Sequence, residues 1–232
     1  MLYDLHLHSA LSPCADNNMT PSLIIGMMSL AKAQAVAITD HNSALNLVAA
    51  QKAAEFYNVT LLPGIEVNSA EEIHLLCYFS SVELALEMGE IVYQSLPDIA
   101  VDTSIWGEQL VMNEEDKVVG RIDKLLTLAS SYSIYEIIRI VESLKGIVVP
   151  AHIDKESNSL LAIMGLMHSD LNISTVEFIN PKLYQEYMDK GLLPKGLGIL
   201  RSSDAHCIQQ LAEDSLSTLV EDNPIYRLIK SI

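Results

Sequence analysis

Short apolar stretches alternate along the chain with longer segments in which apolar residues recur every three or four positions. The first pattern is typical of buried strands and the second of amphipathic helices. Together they predict seven strands: Leu2–Ser9, Ala35–Thr39, Thr60–Val67, Ile73–Phe79, Ile147–Ile153, Thr175–Asn180 and Gly198–Ser203. Because strands that alternate with helices form parallel βα units, we expect an α/β fold, built as a closed or nearly closed barrel. An open doubly wound sheet is the alternative, although no glycine-rich phosphate-binding turn follows any strand.

Helix-start signals support this division of the chain. Thr20-Pro21 is an N-cap followed by a first-turn proline, and Ser133-Ile134-Tyr135-Glu136 is a capping box. The length favours a single domain over residues 1–232. The irregular segment 97–124, which carries Trp106, indicates an inserted hairpin that is either a lid over a site or a surface loop.

Composition limits the classes of function. Half of the residues are apolar, and 30 acidic against 14 basic residues give a formal charge of −16. This balance argues against an extensive nucleic-acid surface, which needs a basic stripe. No apolar run approaches the roughly 20 residues of a membrane span, and no signal peptide fits the start. Cys14, Cys77 and Cys207 have no CxxC spacing, so we expect a reduced, cytoplasmic protein without a zinc ribbon.

Histidines and carboxylates concentrate at the predicted strand ends. His6 and His8 are two apart on the first strand, so their side chains share one face. Asp204 and His206 repeat this spacing after the seventh strand. The other candidates are Asp40, His41, Glu66, His74 and His152. Because the carboxyl ends of barrel strands meet at one rim, we expect these residues to converge on one site.

A rim lined with so many buried charged groups would be costly to fold without cations. Mixed imidazole and carboxylate ligands suit Zn²⁺, Mn²⁺ or Fe²⁺ better than Ca²⁺ or Mg²⁺. The number of donors suits two or three ions, and Glu66, with its two oxygens, is the natural bridge between them. His168 follows a helical pattern without a partner motif, so we assign it to the surface.

Five segments together resemble the motif set of the PHP family, named for polymerase and histidinol phosphatase. They are Asp4-Leu5-His6-Leu7-His8-Ser9, Ile38-Thr39-Asp40-His41-Asn42, Pro63-Gly64-Ile65-Glu66, Pro150-Ala151-His152 and Ser203-Asp204-Ala205-His206. The similarity follows the family's order from Asp4 to His206 and so covers nearly the whole chain. It implies a distorted seven-stranded (β/α)7 TIM-like barrel and a di- or trinuclear metal centre that hydrolyses phosphoesters.

Carried over by position, the resemblance implies three ion sites. The first would be held by His6, His8, Glu66 and Asp204, the second by Glu66, His74 and His152, and the third by His41, His206 and one ligand from the loop after the first strand. Many relatives place an aspartate in that loop, but this chain has Pro13 at the position. Asp16 is the expected replacement. Cys14 is the alternative, since a thiolate would favour zinc or iron.

The expected reaction is hydrolysis of a phosphoester by a metal-bridging hydroxide held at Glu66 and Asp204. Asp40 would orient a ligand histidine from behind. Arg201 and Lys182 are candidates for binding the substrate's phosphate. The substrate class is a small phosphorylated metabolite or a nucleotide, oligonucleotides included.

Two other functions stay open at this point. A metal-dependent amidohydrolase would share the HxH motif, but those barrels usually carry a ligand lysine at a strand end. Here Lys145 and Lys155 only flank the fifth strand. A metal-stabilised interaction domain without turnover is the other alternative. Degraded ligand motifs would be its sign, whereas the ligand set of this chain is nearly complete.

Overall fold

A computed structural model describes the whole chain, residues 1–232. The strands are β1 (Leu2–Leu7), β2 (Ala35–Ile38), β3 (Thr60–Leu61), β4 (Gly64–Asn68), β5 (His74–Tyr78), β6 (Leu110–Met112), β7 (Val118–Arg121), β8 (Ile147–Pro150), β9 (Thr175–Glu177), β10 (Gly198–Leu200) and β11 (Ser217–Thr218). The helices are α1 (Pro21–Leu30), α2 (Leu47–Tyr57), α3 (Val82–Ser95), α4 (Thr103–Trp106), α5 (Ile134–Ser143), α6 (Leu160–Met164), α7 (Tyr184–Asp189) and α8 (Pro224–Lys230).

The strands form four separate sheets, and none of them closes into a barrel. Their orders are β11-β1-β2-β3, β4-β5-β8, β10-β9 and β6-β7. The pairs β1–β2, β2–β3 and β9–β10 are parallel, whereas β5 runs antiparallel to both of its neighbours. The predicted α/β class is therefore confirmed, and the closed seven-stranded barrel is not.

The largest difference from the predicted barrel lies in its third and fourth strands. The run Thr60–Val67 divides at Pro63, which has no N–H to give to a ladder, into β3 and β4. Only residues 69–73 connect β4 to β5. Because parallel neighbours need a connection of about a dozen residues or more, β5 returns antiparallel. Asn68 at the end of β4 therefore pairs with His74 at the start of β5, and both lie at the same rim.

Two isolated parallel bridges join the separate sheets beside the predicted ligands. One bridge pairs His41 with Glu66, and the other pairs Leu7 with Ala205. The first connects the residue that follows β2 to β4, and the second connects β1 to the segment after β10. The carboxyl ends of strands from three different sheets are thus held against one another.

β1 is enclosed on both of its faces over most of its length. Leu5 and Leu7 pack in the apolar core. Because side chains alternate across a strand, Asp4, His6 and His8 share the opposite face, and all three are fully buried. The core of the molecule therefore includes a polar strip that needs partners other than water.

The helices begin where the capping signals predict. Ser133 caps α5 through a reciprocal capping box with Glu136, and Thr20 caps α1 ahead of Pro21. None of the helices combines the length and the apolar character that crossing a bilayer requires.

The segment 97–124 contains α4 and the antiparallel hairpin of β6 and β7. The buried Asn46 side chain donates to the Leu110 carbonyl and accepts from the Met112 N–H. The Leu110 N–H in turn donates to the Ala10 carbonyl. These hydrogen bonds fix the hairpin to the loop after β1 and to the residue that precedes α2, and its role as a lid or a surface loop stays a prediction.

Candidate metal centre

Eight of the nine predicted metal ligands meet in one site. They are His6, His8, His41, Glu66, His74, His152, Asp204 and His206. They come from β1, β4 and β5 and from the segments that follow β1, β2, β8 and β10. Convergence of residues that are far apart in the sequence is the geometry that a metal centre requires.

Glu66 occupies the centre of the site, and its side chain is only 1% exposed. Imidazole nitrogens of five histidines lie 2.9–3.4 Å from its carboxylate oxygens: His6, His8, His41, His74 and His152. Neither oxygen has a hydrogen-bond partner. A buried carboxylate ringed by nitrogens that do not hydrogen-bond to it is suited to sharing cations with them.

His6 is oriented from behind by a second buried carboxylate. Its Nδ1 lies 2.9 Å from Oε2 of Glu177, so the Nδ1–H donates to that oxygen. The opposite ring nitrogen, Nε2, then faces the site, 3.4 Å from Glu66 and 3.2 Å from Asp204. Carboxylate–histidine pairs of this kind fix the tautomer and the orientation of metal-binding imidazoles.

His8 is oriented by a serine instead. Its Nδ1 lies 2.9 Å from the Ser12 hydroxyl, which donates to Oδ1 of Asp40 at 2.8 Å. The Ser12 oxygen also accepts from the His41 N–H at 3.1 Å. Asp40 therefore contacts no ligand imidazole directly, and its predicted orienting role is relayed through Ser12.

Asp204 and His206 enter from the segment after β10. Oδ1 of Asp204 lies 3.2 and 3.3 Å from the Nε2 atoms of His6 and His8. The backbone of Asp204 has a φ of +54°, a region that few residues other than glycine adopt. His206 lies 2.7 Å, through Nδ1, from the Asp204 carbonyl oxygen, which leaves its Nε2 free to bind a ligand.

Three further histidines complete the surroundings of Glu66. Nδ1 of His41 and Nδ1 of His74 each lie 2.9 Å from one of the two carboxylate oxygens. His152 approaches to 3.4 Å through Nε2. Its backbone has a φ of +30°, and its N–H donates to Oε2 of Glu177. Glu177 thus holds two predicted ligands, His6 by its ring and His152 by its main chain.

The site contains three overlapping sets of three potential ligand residues. Within each set, the donor atoms all lie within 4.8 Å of one another. The sets are His6, His8 and Glu66; His41, Glu66 and His74; and His8, His41 and His206. The first set corresponds to the first expected ion site, with Asp204 beside it. The other two differ from the expected grouping, because His41 lies close to His74 and His8 lies close to His206.

Four histidines of the site fall into two pairs that differ in their protonation state before any cation binds. Burial lowers the pKa of His8, but the nearby carboxylates of Asp204 and Glu66 outweigh it and raise this pKa to about 9. Burial also opposes the charge of His6, whose pKa nevertheless lies well above its usual value because of the carboxylates around it, led by Glu177. Burial raises the pKa of Glu66, and the surrounding imidazoles outweigh it and lower that pKa well below its usual range.

The second group of histidines is neutral at pH 7. Burial, with repulsion from the charge of His8, lowers the pKa of His206 to about 3. Burial likewise lowers the pKa of His41 to about 4, although Glu66 opposes this shift. These two imidazoles need to lose no proton to become ligands, whereas His6 and His8 must each lose one.

The loop after β1 brings no third carboxylate into the cluster. Asp16 is exposed and belongs to none of the three donor sets, although its N–H donates to the His206 carbonyl. Cys14 is exposed at the surface of this loop, but partial desolvation of its thiol, with the nearby carboxylate of Glu66, raises the pKa of the thiol to about 12. The thiol is therefore protonated at neutral pH unless a cation displaces its proton.

Both predicted phosphate-binding residues lie away from the site. The Arg201 guanidinium is 3.5 Å from the Asp214 carbonyl and from the Ser217 hydroxyl, beside β11. Lys182 is exposed on the 3₁₀ turn that follows β9. Neither residue lines the cavity above the histidines, so their predicted role in phosphate binding stays a prediction that this geometry does not support. The Arg201 side chain lies beside β11 and does not point toward the cavity.

Three residues that contact the predicted ligands were not among the predicted site residues. Lys155 places its Nζ 2.6 Å from Oδ2 of Asp204. Glu177 is fully buried at the end of β9, where an acidic residue between Val176 and Phe178 could have signalled a role. Ser12 carried no comparable signal, because its role depends on how the loop after β1 folds back.

A cavity of about 140 Å³ lies above the cluster. It is lined by His41, Glu66, His74, His152, Lys155, Ser157, Asn158, Asp204 and His206. In addition to both Glu66 oxygens, the buried Nδ1 atoms of His41 and His152 have no hydrogen-bond partner. Nitrogen and carboxylate donors without partners fit divalent transition-metal ions, so this chain's residues are suited to holding them.

Comparison with known families agrees with this geometry. The sequence matches the family model of the PHP domain over residues 4–195. The chain belongs to the PHP family. The matched span contains every predicted ligand except Asp204 and His206, which follow it in the chain. A relative from Methanocaldococcus jannaschii, an uncharacterised protein, is 23% identical to this PHP-family chain over 222 residues, 95% of this chain and 88% of that protein.

Solved structures share the fold. A provisionally described metal-dependent phosphoesterase from Bifidobacterium adolescentis has a TM-score of 0.58 and 19% identity, covering 88% of this chain and 87% of that one. An amidohydrolase from Chromobacterium violaceum has a TM-score of 0.66 and 16% identity, covering 99% and 96%. Endonuclease Q from Pyrococcus furiosus has a TM-score of 0.60 and 18% identity, covering 93% of this chain but 50% of its own. At these identities the likeness concerns the fold.

We expect cation binding to release protons. His8, with a pKa near 9, and His6 are protonated at neutral pH, and a cation must displace those protons. The affinity for Mn²⁺ should therefore fall as the pH falls below about 9, by about tenfold per unit for each proton displaced. Calorimetric titration at several pH values, in buffers of different ionisation enthalpy, measures both quantities. An affinity that is constant between pH 6 and 8 would contradict the proposed exchange.

A second expectation concerns Glu177. Glu177→Gln removes the charge that orients His6, so Mn²⁺ affinity should fall by roughly 10–100-fold. Glu55→Gln, an exposed change of the same charge on α2, is the matched control and should leave the affinity unchanged. Equal affinities of the two variants in calorimetry would show that Glu177 does not support the site.

Proposed function

We propose that this protein is a metal-dependent phosphoesterase that hydrolyses a small phosphorylated metabolite or a nucleotide. The observation that carries the proposal is the buried Glu66 carboxylate, which lies among five imidazoles without a hydrogen bond to either oxygen. Membership of the PHP family supports the proposal, as does the fold shared with a protein described as a metal-dependent phosphoesterase.

Two or three divalent ions, Zn²⁺, Mn²⁺ or Fe²⁺, are the proposed cofactors. The proposed ligands are His6, His8, Glu66 and Asp204 for the first ion; Glu66, His74 and His152 for the second; and His41 and His206, with Asp16 or Cys14, for the third. Bound ions of this kind lower the pKa of a water and offset negative charge on phosphoryl oxygens. Asp16 would have to turn inward from its exposed position to take part.

The roles of the other residues follow from their contacts. Glu177 and Ser12 hold the Nδ1 protons of His6 and His8, which keeps both Nε2 atoms directed at the site. Asp40 accepts from the Ser12 hydroxyl and from both the N–H and the hydroxyl of Ser9, so it fixes the loop that carries this arrangement. The ligands are therefore positioned before substrate arrives, which lowers the cost of reorganisation.

The cavity favours a small reacting group. At about 140 Å³ it is well below the roughly 300–1,000 Å³ of sites that enclose a whole ligand. It can hold a phosphoryl group, with the remainder of the substrate outside. A net positive site formed by two or three divalent ions suits a phosphate dianion.

The charge of the chain supports a small substrate over long nucleic acid. A formal charge of −16 repels a polyanion, except where bound cations reverse the sign locally. Endonuclease Q, whose fold is similar, has been solved with a DNA duplex, so nucleic-acid ends belong in any substrate panel.

A metal-dependent amidohydrolase is the second candidate, favoured by the fold shared with the Chromobacterium violaceum amidohydrolase. Against it, Lys155 pairs with Asp204 and does not lie among the donor sets. Hydrolysis of amides or lactones, but not of phosphoesters, would select this candidate. Cation binding that raises the melting temperature without hydrolysis of either class would indicate an interaction domain instead.

The proposal is tested with Asp204→Asn. This change removes the charge of a predicted ligand at nearly constant shape, so turnover of p-nitrophenyl phosphate by the Mn²⁺-loaded enzyme should fall at least about 100-fold. Asp98→Asn, at an exposed position before α4, is the control. Metal content is measured in parallel. Unchanged turnover of the Asp204 variant at full metal content would exclude the proposed role of this residue.

A further inference from the structure

One basic side chain enters the cavity above the histidines. Lys155 is the only lysine or arginine on the lining, and its Nζ lies 2.6 Å from Oδ2 of Asp204. Its side chain is 41% exposed, so the ammonium lies where the cavity meets solvent. A substrate group bound in the cavity would therefore lie beside this ammonium.

The segment that carries Lys155 is held in place by hydrogen bonds. The Asp154 carboxylate accepts from the N–H groups of Ile179 and Asn180, each at 2.9 Å. The Lys155 carbonyl accepts from the Ser159 hydroxyl at 2.7 Å. The main chain on both sides of the lysine is therefore tied to the rest of the fold, which limits the positions that its ammonium reaches.

The two oxygens of Asp204 face different partners. Oδ1 faces the Nε2 atoms of His6 and His8, where the first cation is proposed to bind. Oδ2 faces Lys155. Asp204 would hold a cation through Oδ1, and the contact between Oδ2 and the ammonium would then keep Lys155 beside the loaded site.

The ammonium group of Lys155 retains N–H donors that a substrate could use. An ammonium has three N–H groups, and the contact with Asp204 is the only hydrogen bond that Lys155 Nζ makes. Ser157 and Asn158, which follow in the same segment, also line the cavity and add a hydroxyl and an amide. These three side chains can donate hydrogen bonds to an anionic oxygen in the cavity.

We propose that Lys155 binds a non-bridging oxygen of the substrate's phosphate, next to the cation held by Asp204, and so selects phosphate esters over uncharged esters and amides. The proposal rests on the proposed phosphoesterase function and names a substrate-binding residue for it. Lys155 takes the place that the sequence analysis assigned to Arg201 and Lys182. It reaches the site because the turn after β8 carries it back over the rim.

The test compares Lys155→Met, Lys155→Arg and the control Lys182→Met, all loaded with Mn²⁺. Binding of inorganic phosphate is measured by calorimetry, and KM and kcat are measured with p-nitrophenyl phosphate. Loss of a hydrogen bond to a charged group should weaken phosphate binding by about tenfold or more in Lys155→Met. KM should rise by a similar factor with a much smaller change in kcat, Lys155→Arg should keep most of the affinity, and the control should match the wild type.

Three results would overturn the assignment. Phosphate affinity and KM of Lys155→Met equal to those of the wild type, at equal metal content, would exclude Lys155 while leaving the phosphoesterase function intact. Loss of metal from Lys155→Met would make the lysine a structural partner of Asp204. Wild-type protein that holds Mn²⁺ but neither binds phosphate nor hydrolyses the ester would remove the proposed function and the assignment together.

Discussion

The structure depends on the burial of one carboxylate. Glu66 is almost completely enclosed, and a charge in that position is costly unless opposite charges surround it. Five imidazoles surround it, drawn from β1, β5 and the segments after β1, β2 and β8, and two of them, His6 and His8, carry a positive charge at neutral pH. The strands must therefore bring their ends to Glu66, and the isolated bridge between His41 and Glu66 lies at this point.

The residues that hydrogen-bond to the predicted ligands are held in place as firmly as the ligands themselves. Glu177 accepts hydrogen bonds from the ring of His6 and from the main-chain N–H of His152. One buried carboxylate therefore positions a ligand on β1 and a ligand just after β8. Ser12 connects His8, Asp40 and the His41 main chain in the same way. Such contacts leave the Nε2 atoms little freedom, which is what a site built to bind cations requires.

The sequence predicted the composition of the site better than the shape of the fold. The period of two on β1 placed His6 and His8 on one face, and that local rule needs no tertiary information. His74 converges for a different reason from the one expected, because the short connection 69–73 turns β5 antiparallel and puts its first residue at the rim. The expected closed barrel is not formed, and the sequence could not exclude it, since closure depends on ladders between distant strands.

The direction in which individual side chains point was the second feature that could not be predicted from the sequence. Arg201 and Lys155 both lie near strand ends in the sequence, but only Lys155 turns toward the cavity, while Arg201 contacts Ser217. Asp16 was expected to replace a ligand and is exposed, because the loop after β1 presents its main chain to His206 instead. Loop geometry of this kind is set by hydrogen bonds that no sequence spacing encodes.

The most direct measurement is anomalous diffraction from crystals of the protein loaded with Mn²⁺ or Zn²⁺. The account predicts at least two anomalous peaks beside the Glu66 carboxylate, one of them within bonding distance of His6, His8 and Asp204. Peaks confined to other parts of the molecule, or none at this carboxylate at saturating metal, would contradict it.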